Sequence, residues 1–357
     1  MKKSELLILG GPYDAASPLK GQGGVARSIH NIITSKPFNE SFNFDLFDDS
    51  NSKAKLARPI IFFLDKILRL IKILYSKNYD SALIFCNSIN LAFFEKFILV
   101  LIVKIRDIRI YVRYGGGIYQ NFYSKSYLSP IFSLFFSMQD GIIVQEKTGE
   151  LFYGKFKNDN ILSQANFFKD DDLNPKLKSR TPSQRLRVLL VAGKDYVRKG
   201  FHVSIDAVKL VGDKFDFKVI SSNRETIKIV RKANLSNYVQ SLPSLDYYEL
   251  KNLLSISDIL VLPSSNEGLP NLVLESMANG LVILATEVGS VGDVLIDGQN
   301  GFLINSNETD KIANLLNMLN NKRSLVSKIR QNNISKINDR YSESIVVPKL
   351  INFLKNN

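Results

Sequence analysis

Apolar residues in this chain fall into two patterns: short unbroken blocks, and longer stretches in which they recur every three or four positions. The blocks have the length of buried strands and the recurring stretches have helical period, so their alternation predicts an α/β fold built on parallel sheets. In the first half, 6–9, 82–86, 108–112 and 141–144 read as strands, and 25–33 as a helix. A second helix is predicted over 60–75, with apolar residues at 60, 63, 64, 67, 68, 71 and 74 on one face. The second half restarts the alternation, with strands at 188–191, 217–220, 259–262 and 282–285. Helices are predicted at 201–211, 248–255, 270–278 and from 310 onward.

Between the halves lies a polar run, 169–187, which contains Asp170-Asp171-Asp172, Pro175 and Pro182 and has linker composition. The three aspartates are expected as a solvated turn. The expected organisation is therefore an N-terminal Rossmann-like domain over 1–168, a linker over 169–187, and a second doubly wound domain over 188–340. A final amphipathic helix within 341–357 is expected to pack back on the first domain. Two doubly wound units so joined are expected to face one another across a cleft lined by strand carboxyl ends and helix amino ends.

Composition narrows the class. With 357 residues, 45% hydrophobic and 23% charged, the chain resembles ordinary globular proteins. The single cysteine, Cys86, excludes a disulfide framework and fits a reducing, cytoplasmic setting as a buried small hydrophobe. No apolar run approaches the ~20 residues needed to span a bilayer. The net charge of +13 is uneven: 53–113 carries twelve Lys/Arg against four acids, a net of +8. No nucleic-acid-binding motif accompanies it, so an anionic membrane or a pyrophosphate-lipid acceptor is the expected partner. His30 and His202 are expected to be structural or exposed, and no His or Cys grouping suggests a metal.

The candidate chemistry is concentrated in three stretches. Pro263-Ser264-Ser265-Asn266-Glu267-Gly268-Leu269-Pro270-Asn271 leads from a strand through a glycine-bearing loop into a helix containing Glu275. The backbone N–H groups of 268–271 form an anion or hydroxyl cradle beside a helix amino end. A carboxylate accepts two hydroxyl hydrogen bonds, which suits sugar and ribose. On spacing alone Glu267 and Glu275 read equally well as a loop acid and a solvated helix acid. Upstream, Gly193-Lys194-Asp195-Tyr196-Val197-Arg198-Lys199-Gly200 sets two cations, Lys194 and Lys199, around a loop that can neutralise a leaving diphosphate. Downstream stand Gly280-Leu281-Val282-Ile283, Gly289-Ser290, Asp293 and Asp297-Gly298.

This ordered set, over 188–304, resembles the retaining family 4 glycosyltransferases of the GT-B fold. Looser matches in the first half are Gly23-Gly24 and Arg113-Tyr114-Gly115-Gly116-Gly117. The resemblance implies that Lys199 and Lys194 hold the diphosphate, Glu267 lies by the donor sugar, and Glu275 takes the ribose hydroxyls. It implies further that Gly193 and the backbone of Gly268, Leu269, Pro270 and Asn271 contact the donor, and that Gly23 and Gly24 approach its diphosphate. By analogy, Ser222 and Leu242 lie near the base. Lys194 replaces an arginine of the family pattern, Leu281 a proline, Asp293 a glutamate, and Tyr114 a histidine close to the reacting carbon. The expected catalytic set is Lys199, Glu267 and Tyr114. No metal is required; the donor is a nucleotide-diphosphate sugar, UDP ahead of GDP. The acceptor is a glycan or lipid-linked saccharide of bacterial surface polysaccharide, met at the inner face of the cytoplasmic membrane. A catalytically weak nucleotide-sugar binder and a nucleotide-sugar epimerase are the alternatives.

Overall fold

The computed structural model describes residues 3–11, 24–49, 59–86, 91–115, 129–145, 147–156, 160–173, 177 and 179–356. It divides into two compact units, Met1–Asn166 with Glu343–Asn357, and Phe167–Ser342.

Among the described residues, the N-terminal unit holds a parallel sheet in the order β2-β1-β3-β4-β5-β6. Its strands are β1 (Ser4–Leu9), β2 (Phe42–Phe47), β3 (Ser81–Cys86), β4 (Arg109–Tyr114), β5 (Gly141–Val144) and β6 (Ile161–Ser163). Central strands β3 and β5 are buried at every position, because crossover helices cover both faces of a parallel sheet. The crossovers include α1 (Gly24–Ile33), α2 (Lys36–Ser41), α3 (Pro59–Ser76), α4 (Leu91–Lys104), α5 (Ser129–Ser137) and α6 (Lys147–Tyr153). Cys86 is buried in this core.

The apolar face predicted for α3 is divided in the structure. Leu70 and Leu74 are buried, whereas Ile60, Leu64 and Leu68 are 73%, 53% and 66% exposed. The inward stripe instead includes Lys66, whose Nζ lies 2.8 Å from Glu95 Oε2 on α4. Helical period alone gives the stripe's width but not which of its edges meets the sheet.

A smaller polar cluster ties β1, β2 and the turn after α3 together. Lys77 Nζ lies 2.6 Å from Glu5 Oε2 and 3.0 Å from Asp45 Oδ2, and Tyr79 donates to Asp45 at 2.9 Å. Hydrogen bonds from Lys77 and Asn43 hold the Glu5 carboxyl below its ordinary 4.5. Burial pushes Asp45 up from 3.8, but its bonds from Lys77 and Tyr79 together bring it lower. The two carboxylates in turn raise Lys77 above 10.5, Glu5 contributing most. Depressed acids stabilise above their unfolded pKa and cease to do so as pH falls through the folded values. The raised lysine stabilises below its unfolded pKa and ceases to as pH rises through its folded value. Lys77→Met is therefore expected to lower the melting temperature at neutral pH, with the difference from wild type shrinking as pH falls through the lowered Glu5 and Asp45 values. A difference that is constant with pH in thermal unfolding would contradict the linkage.

The C-terminal unit holds a second parallel sheet, in the order β12-β11-β10-β7-β8-β9. Its strands are β7 (Arg187–Val191), β8 (Asp216–Ile220), β9 (Val239–Leu242), β10 (Ile259–Leu262), β11 (Val282–Thr286) and β12 (Phe302–Ile304). The helices are α7 (Phe201–Val211), α8 (Arg224–Lys232), α9 (Tyr247–Ile256), α10 (Asn271–Ala278), α11 (Val291–Val294), α12 (Thr309–Asn321) and α13 (Arg323–Lys336). Helix α9 starts at a capping box in which Asp246 accepts from Glu249 N and the Glu249 carboxylate accepts from Asp246 N, both at 2.8 Å. The chain enters the sheet at β7, builds outward through β8 and β9, then returns to β7's other side with β10. That reversal puts a topological switch point between β7 and β10.

The last helix, α14 (Glu343–Asn356), belongs to the N-terminal unit. Its Phe353 ring lies 5.6 Å from Tyr111 on β4.

The polar run 169–187 has linker composition, yet many of its described residues are fastened to the C-terminal unit. Asp172 accepts from Tyr247 and Lys251 on α9, so it is not the solvated residue expected from composition. Arg180 donates to the carbonyls of Ser255 and Ser257 and lies 3.1 Å from Asp258 Oδ1. The same carboxylate oxygen accepts from Arg330 Nη2 at 3.0 Å, and Asp258 Oδ2 accepts from Arg187 N at 3.1 Å. Asp258 and Arg330 are fully buried. Burial brings Arg180 down to about 10 and lowers Arg330 as well.

Candidate functional site

The C-terminal residues singled out in the sequence converge at the carboxyl edge of the C-terminal sheet, around its switch point. The loop after β7 turns at Gly193, whose φ of +57° falls in the left-handed region that glycine tolerates. It reaches α7 through Gly200, where φ is +67° and an added Cβ would stand 2.1 Å from the Pro263 carbonyl oxygen. That close approach lays the 195–200 loop on the segment following β10. Ser265 N donates to Arg198 O at 2.8 Å, and the Arg198 guanidinium donates to Asn266 O.

Glu267 lies between this loop and the one after β11. Its carboxylate is ion-paired with Lys199, and Arg198 Nη1 stands 3.4 Å from the same oxygen. Arg198 is itself held by Asp195, at 3.2 Å from Nε. From the other side, Gly289 (φ +58°) comes so near that an added Cβ would meet Glu267 O at 2.3 Å and Gly268 O at 2.5 Å. Ser290 N donates to Gly268 O at 3.3 Å. The Glu267–Gly268 peptide is thus held by the Gly289 turn, while the 195–200 loop holds Pro263, Ser265 and Asn266 just before it, and Pro270 follows as the N-cap of α10.

This grip makes Gly289 a sharp probe. Gly289→Ala is expected to force the Glu267–Gly268 carbonyls to move and to weaken the nucleoside-diphosphate binding that the sequence resemblance implies by about tenfold or more, a shift of ~1.4 kcal/mol. Far-ultraviolet circular dichroism should remain native. Calorimetric affinity equal to wild type would show that this peptide is not part of the binding surface.

The other half of the edge is latched to the first. Ser221 Oγ donates to Gly193 O at 2.9 Å, Ser221 N to Leu242 O at 3.1 Å, and Asn223 Nδ2 to Lys194 O at 3.3 Å. Ser222 is exposed beside this latch, and so is Lys194. Glu275, on α10, is buried and lines a small cavity with Phe168, Tyr247, Lys251 and Asn279. Leu269 is buried, while Gly268, Pro270 and Asn271 are half-buried.

Electrostatically, Lys194, Arg198 and Lys199 face two acids, Asp195 and Glu267. The loop keeps a surplus of cation at the edge where ligands of doubly wound sheets sit. Among the described residues, the Lys199 ammonium is ion-paired with Glu267 alone. An incoming phosphate can take over that ammonium while Arg198 still neutralises the carboxylate. Arg198 was missed in the sequence, where only the cations at the two ends of the loop were weighed; its signal was its position immediately before Lys199.

The first-half candidates lie in the N-terminal unit. Gly24 opens α1, and Gly23 lies outside the described residues. Gly116 and Gly117 lie outside them too. Tyr114 is 1% exposed and stacks on Tyr153 at 4.6 Å within a cluster that includes Phe136. Gln139 donates to its hydroxyl at 2.6 Å, and burial raises its pKa well above the ordinary phenol value. This is a core position, where the sequence pattern had placed a group near the reacting carbon. Its neighbour Arg113 is also buried, bonded at 3.0 Å to Asn166 Oδ1, with burial bringing it down to about 10. His202 is exposed. Among the described residues, no group of three His, Cys, Asp or Glu side chains could hold a metal ion.

Residues 174–336 match the family model described as "Glycosyl transferases group 1". An uncharacterized glycosyltransferase of Methanocaldococcus jannaschii is 33% identical over 137 residues, which are 37% of this chain and 38% of that protein. One of Haemophilus influenzae is 31% identical over 191 residues, half of each chain. A lipopolysaccharide core biosynthesis glycosyltransferase of Rhizobium meliloti is 24% identical over 169 residues, 47% of this chain and 49% of that one. The chain thus spans half or less of the length of these curated relatives. A solved Anabaena structure, HepE in complex with UDP, superposes with a TM-score of 0.74 at 14% identity, covering 99% of this chain and 100% of that one. The chain has the GT-B fold of two Rossmann-like units, and its C-terminal unit carries the sequence pattern of the group 1 glycosyl transferases.

Proposed function

We propose that this protein is a retaining glycosyltransferase of family 4 that moves a sugar from a nucleotide-diphosphate sugar, UDP before GDP, to a glycan or lipid-linked acceptor. The observation that carries the reading is the Lys199–Glu267–Arg198 cluster, set on the Glu267–Gly268 peptide at the switch point of the C-terminal sheet. The names of the relatives support the reaction class, and the lipopolysaccharide relative supports surface polysaccharide biosynthesis as the setting.

Lys199 and Lys194 take the diphosphate, with the backbone of Gly193 and of 268–271 around it. Glu267 orients the donor sugar, Glu275 the ribose, and Ser222 and Leu242 flank the base. Cations and helix amino ends stabilise the leaving group, so no metal is needed. In the transfer, an acceptor hydroxyl oxygen bonds to the anomeric carbon as the bond from that carbon to the β-phosphate oxygen breaks. The leaving phosphate takes the hydroxyl proton, and attack on the face of departure retains configuration. Tyr114 is left out of the catalytic set, since its ring and hydroxyl are enclosed by the core. The protein acts at the cytoplasmic face of the membrane, held there peripherally.

The test is incubation of the purified chain with α-linked UDP- and GDP-sugars and saccharide acceptors, followed by chromatography and nuclear magnetic resonance of the product. Nucleoside diphosphate release with an α-linked product is expected. A β-linked product would overturn retention, and a rearranged nucleotide-sugar formed without acceptor would make the protein an epimerase.

A further inference from the structure

Helix α3 presents a second apolar face, away from the sheet. At 100° per residue, Ile60, Leu64, Tyr75, Leu68 and Ile61 fall in that order across one continuous sector about 100° wide. They are 73%, 53%, 68%, 66% and 54% exposed. The stripe runs about 22 Å along the helix. Lys72 and Arg69 follow at its edge, and both are exposed. Asp65, the acid of that edge, is paired with Arg69 at 2.9 Å.

The neighbouring helix carries exposed apolar residues of its own, and the turn after it touches the stripe at Tyr75. Lys66 and Glu95 join α3 to α4, and the Arg106 guanidinium lies 4.5 Å from the centroid of the Tyr75 ring. Phe94 and Leu101 repeat at seven-residue spacing on α4 and are each 38% exposed, and Ile105, just past its end, is 79% exposed. A soluble surface does not group large aliphatic side chains in this way without use. The rim is basic, as is the sequence around it, with a net charge of +8 over 53–113. No described helix is long and apolar enough to cross a membrane.

We infer that α3, with the adjoining edge of α4, lies in the plane of an anionic bilayer, its aliphatic stripe among the acyl chains and its cations at the headgroups. This rests on the membrane setting proposed above and deepens it: attachment is by apolar insertion, with charge as the secondary contribution. Tyr75 fits the headgroup level, its ring apolar and its hydroxyl wet.

The test is co-sedimentation of the full chain with phosphatidylcholine vesicles containing about one third phosphatidylglycerol. Binding is expected, and part of it should persist at about 0.5 M salt, where charge attraction between exposed groups is largely screened. The double variant Leu64→Glu/Leu68→Glu, at exposed positions, should lower the partition coefficient by about tenfold or more. Arg69→Gln/Lys72→Gln should lower it less and flatten its salt dependence. Wild-type binding by the Leu64/Leu68 variant would overturn the inference. So would a dimer dispersed by that variant when neither protein binds vesicles, which would make the face a contact between copies. UDP affinity, measured calorimetrically on the same preparations, should be unchanged. Loss of vesicle binding with intact UDP binding tests this surface alone, whereas absent UDP binding in the wild type counts against the proposed function.

Discussion

Replacing Lys199 by alanine is expected to lower sugar-transfer turnover by about 10²–10³-fold, the usual cost of removing one preorganised group that stabilises developing negative charge. The variant should also lose nucleoside-diphosphate binding, since Lys199 is the cation whose acidic partner, Glu267, an anionic ligand can replace. The fold should survive. Arg198 remains 3.4 Å from the Glu267 carboxylate, so the acid is not abandoned in a half-buried loop. Steady-state kinetics, with calorimetry of UDP binding, reads the effect. Lys199→Arg should recover binding better than turnover, because a planar fork cannot occupy the position of a point charge without shifting the phosphate. Wild-type turnover by the alanine variant would remove Lys199 from the site.

Asp258→Ala is expected to destabilise the protein by about 3–5 kcal/mol, since it leaves the buried Arg330 guanidinium and the half-buried one of Arg180 without their shared carboxylate. For a unit of this size that is roughly 10 °C in melting temperature. Arg330 is fully buried, and Gly280 packs so tightly on it that an added Cβ would stand 2.4 Å from Arg330 Cγ, so the side chain has no route to water. Replacing the whole triad, as Arg180→Met/Asp258→Leu/Arg330→Met, should recover most of the loss, because buried ion pairs are expensive to desolvate even when paired. Differential scanning calorimetry separates the cases. A single-variant loss under about 1 kcal/mol would mean that water or other groups solvate the arginines.

The architecture was legible where the pattern was strong. The buried runs at 6–9, 82–86, 188–191, 259–262 and 282–285 all lie in strands, because strands covered on both faces admit few polar residues. Edge strands β2 and β6 escaped notice since their residues are only partly buried and their sequences mixed. Helix α4 was hidden for the opposite reason: it is apolar almost all round, and periodicity fades when both faces are apolar. The orientation of α3 was equally hidden, since a period gives a stripe but not its neighbour.

The site divides in the same way. Gly193, Lys199, Glu267 and Gly268 carry local signals, a glycine turn or a charge beside one, and all lie in loops at the carboxyl ends of β7 and β10. Arg198 and the Gly289 contact required knowledge of which loops touch. Arg180 and Arg330 lie 78 and 72 positions from Asp258 in sequence, and nothing local links them. Tyr114 holds a motif position that suggests chemistry, while its burial depends on Phe136 and Tyr153, which the motif does not reveal.

The most direct measurement is isothermal titration of UDP and UDP-sugars into the wild-type chain and into Lys199→Ala, beside a transfer assay with saccharide acceptors. The account predicts saturable binding to the wild type, its loss in the variant, and acceptor-dependent release of UDP. Absence of binding by any nucleoside diphosphate to a folded wild type, or equal binding by both proteins, would contradict it.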